Sequence, residues 1–143
     1  MAAITNTIEI DRPADEVFAY VVDPAKFPEW QVDVTGVDVE GDDVGSRFTT
    51  VRKIGGSERS MTQQITESVP PRTWAARGIE GPIRPNATVD IEPIADDRCR
   101  VTFGLDFDGR GMASALVPMV RRMAAKAAPA SHQRLKELLE SGR

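Results

Sequence analysis

One long amphipathic segment closes this chain, roughly Ala113 to Glu140, and the stretch from Gln31 to Asp108 is almost wholly strand-like. Consecutive strands with one apolar face must bury that face against another layer. The terminal segment supplies such a layer: Leu116, Val120, Met123 and Ala127 fall at helical spacing on one stripe, with Arg121, Arg122 and Lys126 off it. Pro118 is tolerable only near the helix start. Pro129, inside the pattern, predicts a kink or a lost hydrogen bond. After it the apolar phase shifts toward Leu135, Leu138 and Leu139, and Gly142 follows the last turns. The arrangement predicts a curved sheet wrapped around a terminal helix, a shape that encloses a cavity.

The other end of the chain begins with a strand. Ile4, Ile8 and Ile10 share one face of an alternating run from Ile4 to Asp11. Pro13 suits the first turn of a helix, and Val17, Phe18, Val21 and Val22 give that helix an apolar face. Pro24 disfavours helical geometry at Asp23 and stops it. A second short helix spans about Ala25 to Glu29 and ends near Trp30.

The strands that follow are punctuated by turn chemistry. Gln31 to Glu40 alternates until its parity slips at Gly36, which predicts a bulge. Gly41-Asp42-Asp43 reads as a turn. Ser46 to Ile54, with Phe48 and Ile54 of one parity, precedes the hairpin signal Gly55-Gly56. Glu58 to Val69 carries Met61 and Ile65 on one face and ends at Pro70-Pro71. Arg72 to Ile79 centres on Trp74. Gly81-Pro82 reads as a loop, Ala87 to Ile94 as a strand, and Asp96-Asp97 as a turn. Arg100 to Asp108 alternates most cleanly, with Val101, Phe103, Leu105 and Phe107 against Thr102, Asp106 and Asp108. Counting the first, this makes seven strands in an antiparallel meander.

A length of 143 residues suits one domain, read here as 1–143. The net charge of −4 argues against a nonspecific nucleic-acid surface, which must be basic to release counterions. Cys99 is the single cysteine, so no intramolecular disulfide can form, which fits a reducing compartment. The N-terminus lacks the basic and apolar regions of a secretory signal, and no apolar run approaches the ~20 residues that span a bilayer. The expectation is a cytoplasmic protein without stable membrane insertion.

Several segments, in this order and spacing, resemble the START-like helix-grip superfamily (SRPBCC), and within it the polyketide cyclase/dehydrase and lipid-transport group. They are Arg12-Pro13 with Val17-Phe18, Asp23-Pro24, Phe27-Pro28-Glu29-Trp30, Gly109-Arg110-Gly111, and Leu135 to Glu140. The resemblance covers nearly the whole chain. It implies an α+β helix-grip fold: a seven-stranded curved antiparallel sheet around a long C-terminal helix, with two short helices after the first strand. It also implies a ligand cavity between sheet and helix. Carried over by position, the strand residues lining it are Phe48, Thr50, Met61, Gln63, Trp74, Ala76, Val89, Phe103 and Leu105. Leu116, Val120 and Met123 face them from the helix, and Phe27 and Trp30 sit near the entrance. The superfamily spans carriers, cyclases, dehydratases and regulatory modules, so fold alone does not select among them.

The residues themselves offer little chemistry. One histidine and one cysteine cannot make a zinc site of the usual spacing, no glycine-rich phosphate loop follows a strand, and no cofactor or metal is expected. His132 falls off the apolar stripe of a straight helix and reads as a surface or helix-end residue. Cys99 reads as a small buried residue, Asp106 as solvent-facing, and Tyr20 as a packed ring. The sharper polar candidates have inward parity: Gln63, Thr50 and Arg52, which share a face with neighbouring apolar residues. Arg52, near its strand end, reads either as a solvated head group or as a partner for a ligand carboxylate or carbonyl. No inward carboxylate or histidine offers a general acid or base. The first reading is therefore a protein that binds a small hydrophobic molecule, such as a lipid, a polyketide-like compound or an aromatic. The alternatives are an aromatase/cyclase or dehydratase using the same cavity, and a protein-interaction module.

Overall fold

The computed structural model describes residues 4–54 and 56–141. Gly55 and Gly142, read above as turn and helix-end glycines, lie outside the described residues. The first strand, β1, is Ile4–Ile10. Pro13 stands extended before α1 (Ala14–Val21), which buries Ala14, Val17, Phe18 and Val21. The Asp23 carboxylate accepts from the Ala25 N–H at 3.1 Å. That cap starts the 3-10 turn Pro24–Lys26 and then α2 (Phe27–Trp30). Six more strands follow: β2 (Val34–Val39), β3 (Arg47–Ile54), β4 (Ser57–Val69), β5 (Thr73–Glu80), β6 (Ile83–Ala95) and β7 (Arg98–Gly109). A second 3-10 turn, Gly111–Leu116, leads into α3 (Val117–Ser141).

All seven strands form one antiparallel sheet in the order β1-β7-β6-β5-β4-β3-β2. Six strands make a meander, and β1 joins beside the last of them. Strands β1 and β2, consecutive in sequence, thus lie at opposite edges. The chain between them must cross the width of the sheet, and α1 and α2 are that crossing. Register shifts at Val34/Gly36, at Thr62/Gln63 and Ile65/Glu67, and at Pro93/Ala95 bend the strands and curl the sheet. The shift at Gly36 is the expected bulge.

Strand β6 starts at Ile83, well before Ala87, and takes in Pro85. Pairing with β5 stops at Arg77↔Asn86, so Pro85 pairs only with Phe107 of β7. A proline is tolerated where one side of the strand has no partner. The regular part of the terminal helix starts at Val117, later than Ala113. Pro118 then falls in the first turn, where its missing N–H costs nothing. The helix continues through Pro129, whose missing N–H leaves one carbonyl of the preceding turn without its usual donor.

Two apolar clusters hold α3 to the sheet. Its C-terminal half places Leu135 and Leu139 against α1, α2 and the strands around Trp74, Val89 and Phe103. Leu138, expected on that face, is solvent-exposed. The N-terminal half packs Val117 and Val120 on Met61, Ile83 and Phe107. Polar contacts anchor the far end. The Arg12 guanidinium donates to the carbonyls of Leu139 at 2.7 Å and Glu140 at 3.2 Å, capping the helix C-terminus. Asp106 is not left to solvent as expected. It accepts from Arg121 Nε at 2.7 Å and ties β7 to α3. No helix among the described residues is long and apolar enough to cross a membrane.

Gly109 lets the chain turn from β7 into the helical segment. A Cβ there would lie 2.4 Å from Ser114 Cα and 2.7 Å from Val117 Cγ2. Because backbone is in the way, Gly109→Ala should destabilise the fold by about 1–3 kcal/mol. Urea unfolding would read this as a lower midpoint; an unchanged midpoint would contradict the close approach.

Candidate functional site

Strand register aligns a row of side chains across the concave face. Asn6 pairs with Phe103, Phe103 with Val89, and Val89 with Trp74. A neighbouring row runs Ile4, Leu105, Ala87 and Ala76. Opposite these rows α3 presents Ala124, Ala127, Ala128, Ser131 and His132, which line a cavity with them. These helix positions follow the i, i+3, i+4, i+7, i+8 rule of a single face. Three of the five are alanines, and although Ala124 packs against the N-terminal cluster, side chains this short leave space in front of the sheet. About 860 Å³ between the walls is free of protein atoms, part of it open to solvent, and about 100 Å³ admits the centre of a water molecule.

The walls are aromatic. Phe27 meets Trp30, Phe48 and Trp74 edge to face, with ring centroids 6.0, 5.6 and 6.3 Å apart. Phe103 stacks on His132 at 3.9 Å and 12°, and Trp30 lies 5.8 Å from Phe103. Polar groups punctuate this surface. The Asn6 amide donates to Nδ1 of His132. Ser131 Oγ accepts from the Val32 N–H at 3.0 Å, joining α3 to the link between α2 and β2. Arg52 donates to Asp33 Oδ1 at 3.1 Å and to Gln31 Oε1 at 2.7 Å. Its side chain is 12% exposed, so it is a partnered, largely buried group rather than a solvated head. Gln63 is buried and lines the cavity. The indole N–H groups of Trp30 and Trp74, Arg52 Nε and Thr50 Oγ1 are buried without a partner among the described residues.

Of the residues expected to line the site, eight touch the cavity: Phe27, Trp30, Arg52, Gln63, Trp74, Val89, Phe103 and Leu105. Phe27 and Trp30 are buried in its wall rather than placed at an entrance. Phe48 packs behind Phe27 and Trp74, while Thr50 and Ala76 are buried in the sheet. Met61 and Val120, with Leu116 and Met123, belong to the packed N-terminal cluster. The helix contribution lies one to two turns further along, at the alanines. Asn6, Asp33, Ser131 and His132 were not expected there. Asn6 has the inward parity of Ile4 and Ile8, so strand alternation could have found it. His132 is one turn beyond Ala128, on the face that a search for large apolar residues passes over.

His132 is 7% exposed, and burial pushes its pKa down to about 4. Cys99 is fully buried in the main cluster, and burial pushes its thiol up to about 11, away from reactive thiolate. Among the described residues, no three His, Cys, Asp or Glu side chains are grouped to hold a metal ion.

A curled antiparallel sheet gripping a C-terminal helix, with an aromatic cavity between them, defines a helix-grip protein. The chain belongs to the polyketide cyclase / dehydrase and lipid transport family, whose pattern matches residues 1–140. Membership implies a cavity for a hydrophobic ligand. The fold is similar to the Zhui aromatase/cyclase from Streptomyces sp. R1128, at 14% identity and TM-score 0.77, covering 92% of this chain and 89% of that one. It is also similar to a START superfamily protein from Mycobacterium smegmatis, at 15% identity and TM-score 0.76, covering 93% of each. The di-domain ARO/CYC BexL from the BE-7585A biosynthetic pathway matches 95% of this chain at 19% identity and TM-score 0.71; the chain spans 45% of its length. At these identities the likeness shows the fold. No curated protein sequence matches the chain.

The single histidine gives a clean test. Its folded pKa lies below its unfolded value, so the unfolded chain takes up the proton first as pH falls. The stability at stake is full above about pH 6.5 and is lost between there and about pH 4. It amounts to roughly 3–4 kcal/mol at about 1.4 kcal/mol per pH unit. The imidazole NMR signal should stay in its neutral position at pH 5.5; titration near pH 6.5 would contradict a buried His132.

Proposed function

We propose that this protein binds a small, flat hydrophobic molecule, of one or two rings, between its sheet and α3. The observation that carries this reading is an aromatic cavity that the alanine face of the helix leaves unfilled. An engineered apolar cavity of about 150 Å³ is known to bind benzene, so the space here suits a ring better than a long acyl chain. Apolar walls supply affinity, and a few polar groups set orientation. Open space between sheet and helix favours this over a protein-interaction module, which has no use for it. The lone, buried Cys99 supports a reducing, cytoplasmic setting.

A second reading is an aromatase/cyclase or dehydratase acting on such a ligand, and His132 favours it. It is a neutral imidazole in the cavity wall, held by Asn6 and stacked on Phe103. Such a group can hold or pass a proton at a bound molecule. Shaping of a flexible substrate by the walls would contribute proximity.

Both tryptophans line the cavity, so binding has an intrinsic reporter. Naphthalene-sized aromatics should change tryptophan emission and raise the melting temperature, whereas palmitate should do neither. Native mass spectrometry of gently purified protein should show any co-purifying ligand to be compact and aromatic. Stabilisation by fatty acids alone would overturn the aromatic reading.

A further inference from the structure

The charges of this chain are unevenly placed. All 22 acidic residues lie outside residues 109–136, although the chain as a whole carries a net charge of −4. That stretch holds the turn Gly111–Leu116 and most of α3. Its basic residues divide by what they hold. Arg121 pairs with Asp106, Arg134 donates to the Glu29 carbonyl, and Lys136 donates to the Glu9 carbonyl and pairs with Glu140. Arg110, Arg122 and Lys126 are exposed, and their side chains make no hydrogen bond or ion pair to the described residues. The carboxylates of the strand leading into this stretch are already engaged, Asp106 with Arg121 and Asp108 with the Asn86 amide. Met119, Arg122 and Lys126 stand at i, i+3 and i+7 and share one face of α3. Around them the exposed positions are Pro118, Ala125, Pro129 and Ala130. This outer face therefore mixes two cations with apolar surface and carries no carboxylate. Met112, in the turn before it, is 93% exposed, and Met119 is 41% exposed. Single exposed apolar residues are ordinary, but unbranched ones beside free cations on an acid-free face suit a lipid interface.

We propose that this outer face of α3, together with Met112, docks reversibly on an anionic lipid surface. The cations meet phosphate headgroups, and the methionines enter the boundary between headgroups and acyl chains. A helix exterior is convex, so it offers an acidic peptide no groove, while a fluid lipid surface closes around it. The docking needs no spanning segment, and no helix among the described residues could supply one. The opposite face of the same helix carries Ala124, Ala127 and Ala128, which line the cavity. A helix is about 10–12 Å across with its side chains, so docking holds the cavity within that distance of the lipid. Resting on the proposed binding of a flat hydrophobic molecule, this assigns the source of the ligand: a compound dissolved in the bilayer rather than in water.

Sedimentation of the full chain with lipid vesicles tests this. Vesicles of phosphatidylcholine mixed with phosphatidylglycerol should carry the protein down, and phosphatidylcholine alone should bind far less. Raising salt from about 0.01 M to about 1 M shortens the screening length from about 30 Å to about 3 Å and should release most of it. Arg122→Gln and Lys126→Gln should each weaken binding about fivefold, the effect of one basic residue near an anionic surface. Met112→Ser should weaken it about tenfold by removing an apolar side chain that the lipid covers. Leu138→Ser, at an exposed apolar residue further along α3, should change nothing. Melting curves should stay the same throughout, since every substituted residue is exposed. Failure to bind either vesicle, equal binding to both, or indifference to the Arg122 and Lys126 substitutions would overturn the docking face. Binding to poly-glutamate but not to vesicles would overturn the lipid surface and put an acidic protein in its place. The tryptophan emission response to naphthalene-sized aromatics needs no vesicle. Loss of docking with that response intact leaves the ligand reading standing, and loss of the response with docking intact overturns the ligand reading alone.

Discussion

Everything at the candidate site depends on what α3 does not contribute. A helix laid on a curled sheet normally fills the space between them with large side chains, because interiors are close-packed. Here Val117 and Val120 do so at one end and Leu135 and Leu139 at the other. Between them the same face carries Ala124, Ala127 and Ala128. The two clusters carry the packing energy, and the stretch between them is released from it. The helix is thus held at a distance set by its ends, and the space under its middle remains open.

The connection between the sheet edges has a related consequence. Because β1 and β2 lie at opposite edges, the linking helices must pass over the sheet, and they bring Phe27 and Trp30 across its concave face. Those rings reach Trp74 on one side and Phe103 on the other. Aromatics from separate segments therefore meet around one space, with the indole nitrogens drawn in among them. The polar inventory follows from the same geometry. Arg52 reaches back to Gln31 and Asp33 in the link, and Ser131 holds the link from the helix.

Much of this architecture was legible in the chain. Alternation placed the strands, Gly36 announced its bulge, and Pro13, Asp23 and Pro24 marked the short helices, since each of these signals is local. Half of the expected site also fell on the cavity, because strand parity decides which side chains face the helix. The helix residues did not. Large apolar side chains at helical spacing mark packing, and Leu116, Val120 and Met123 were read as ligand-facing although they fill the N-terminal cluster. A cavity is signalled by small residues on an otherwise apolar face, a weaker mark that composition does not distinguish from surface alanine.

The sequence by itself determined the element order, the antiparallel meander, and the inward parity of Trp74, Val89, Phe103 and Gln63, all of which follow from periodicity and turn chemistry. Tertiary structure decided the rest. Which segment of α3 lies over the concave rows depends on where both helix ends are pinned. That pinning involves Arg12 on the C-terminal carbonyls and Arg121 on Asp106, residues far apart in the chain. The burial of His132 has the same origin. Its neutrality and its tautomer come from Phe103 and Asn6, which only the curled sheet and the docked helix bring to it.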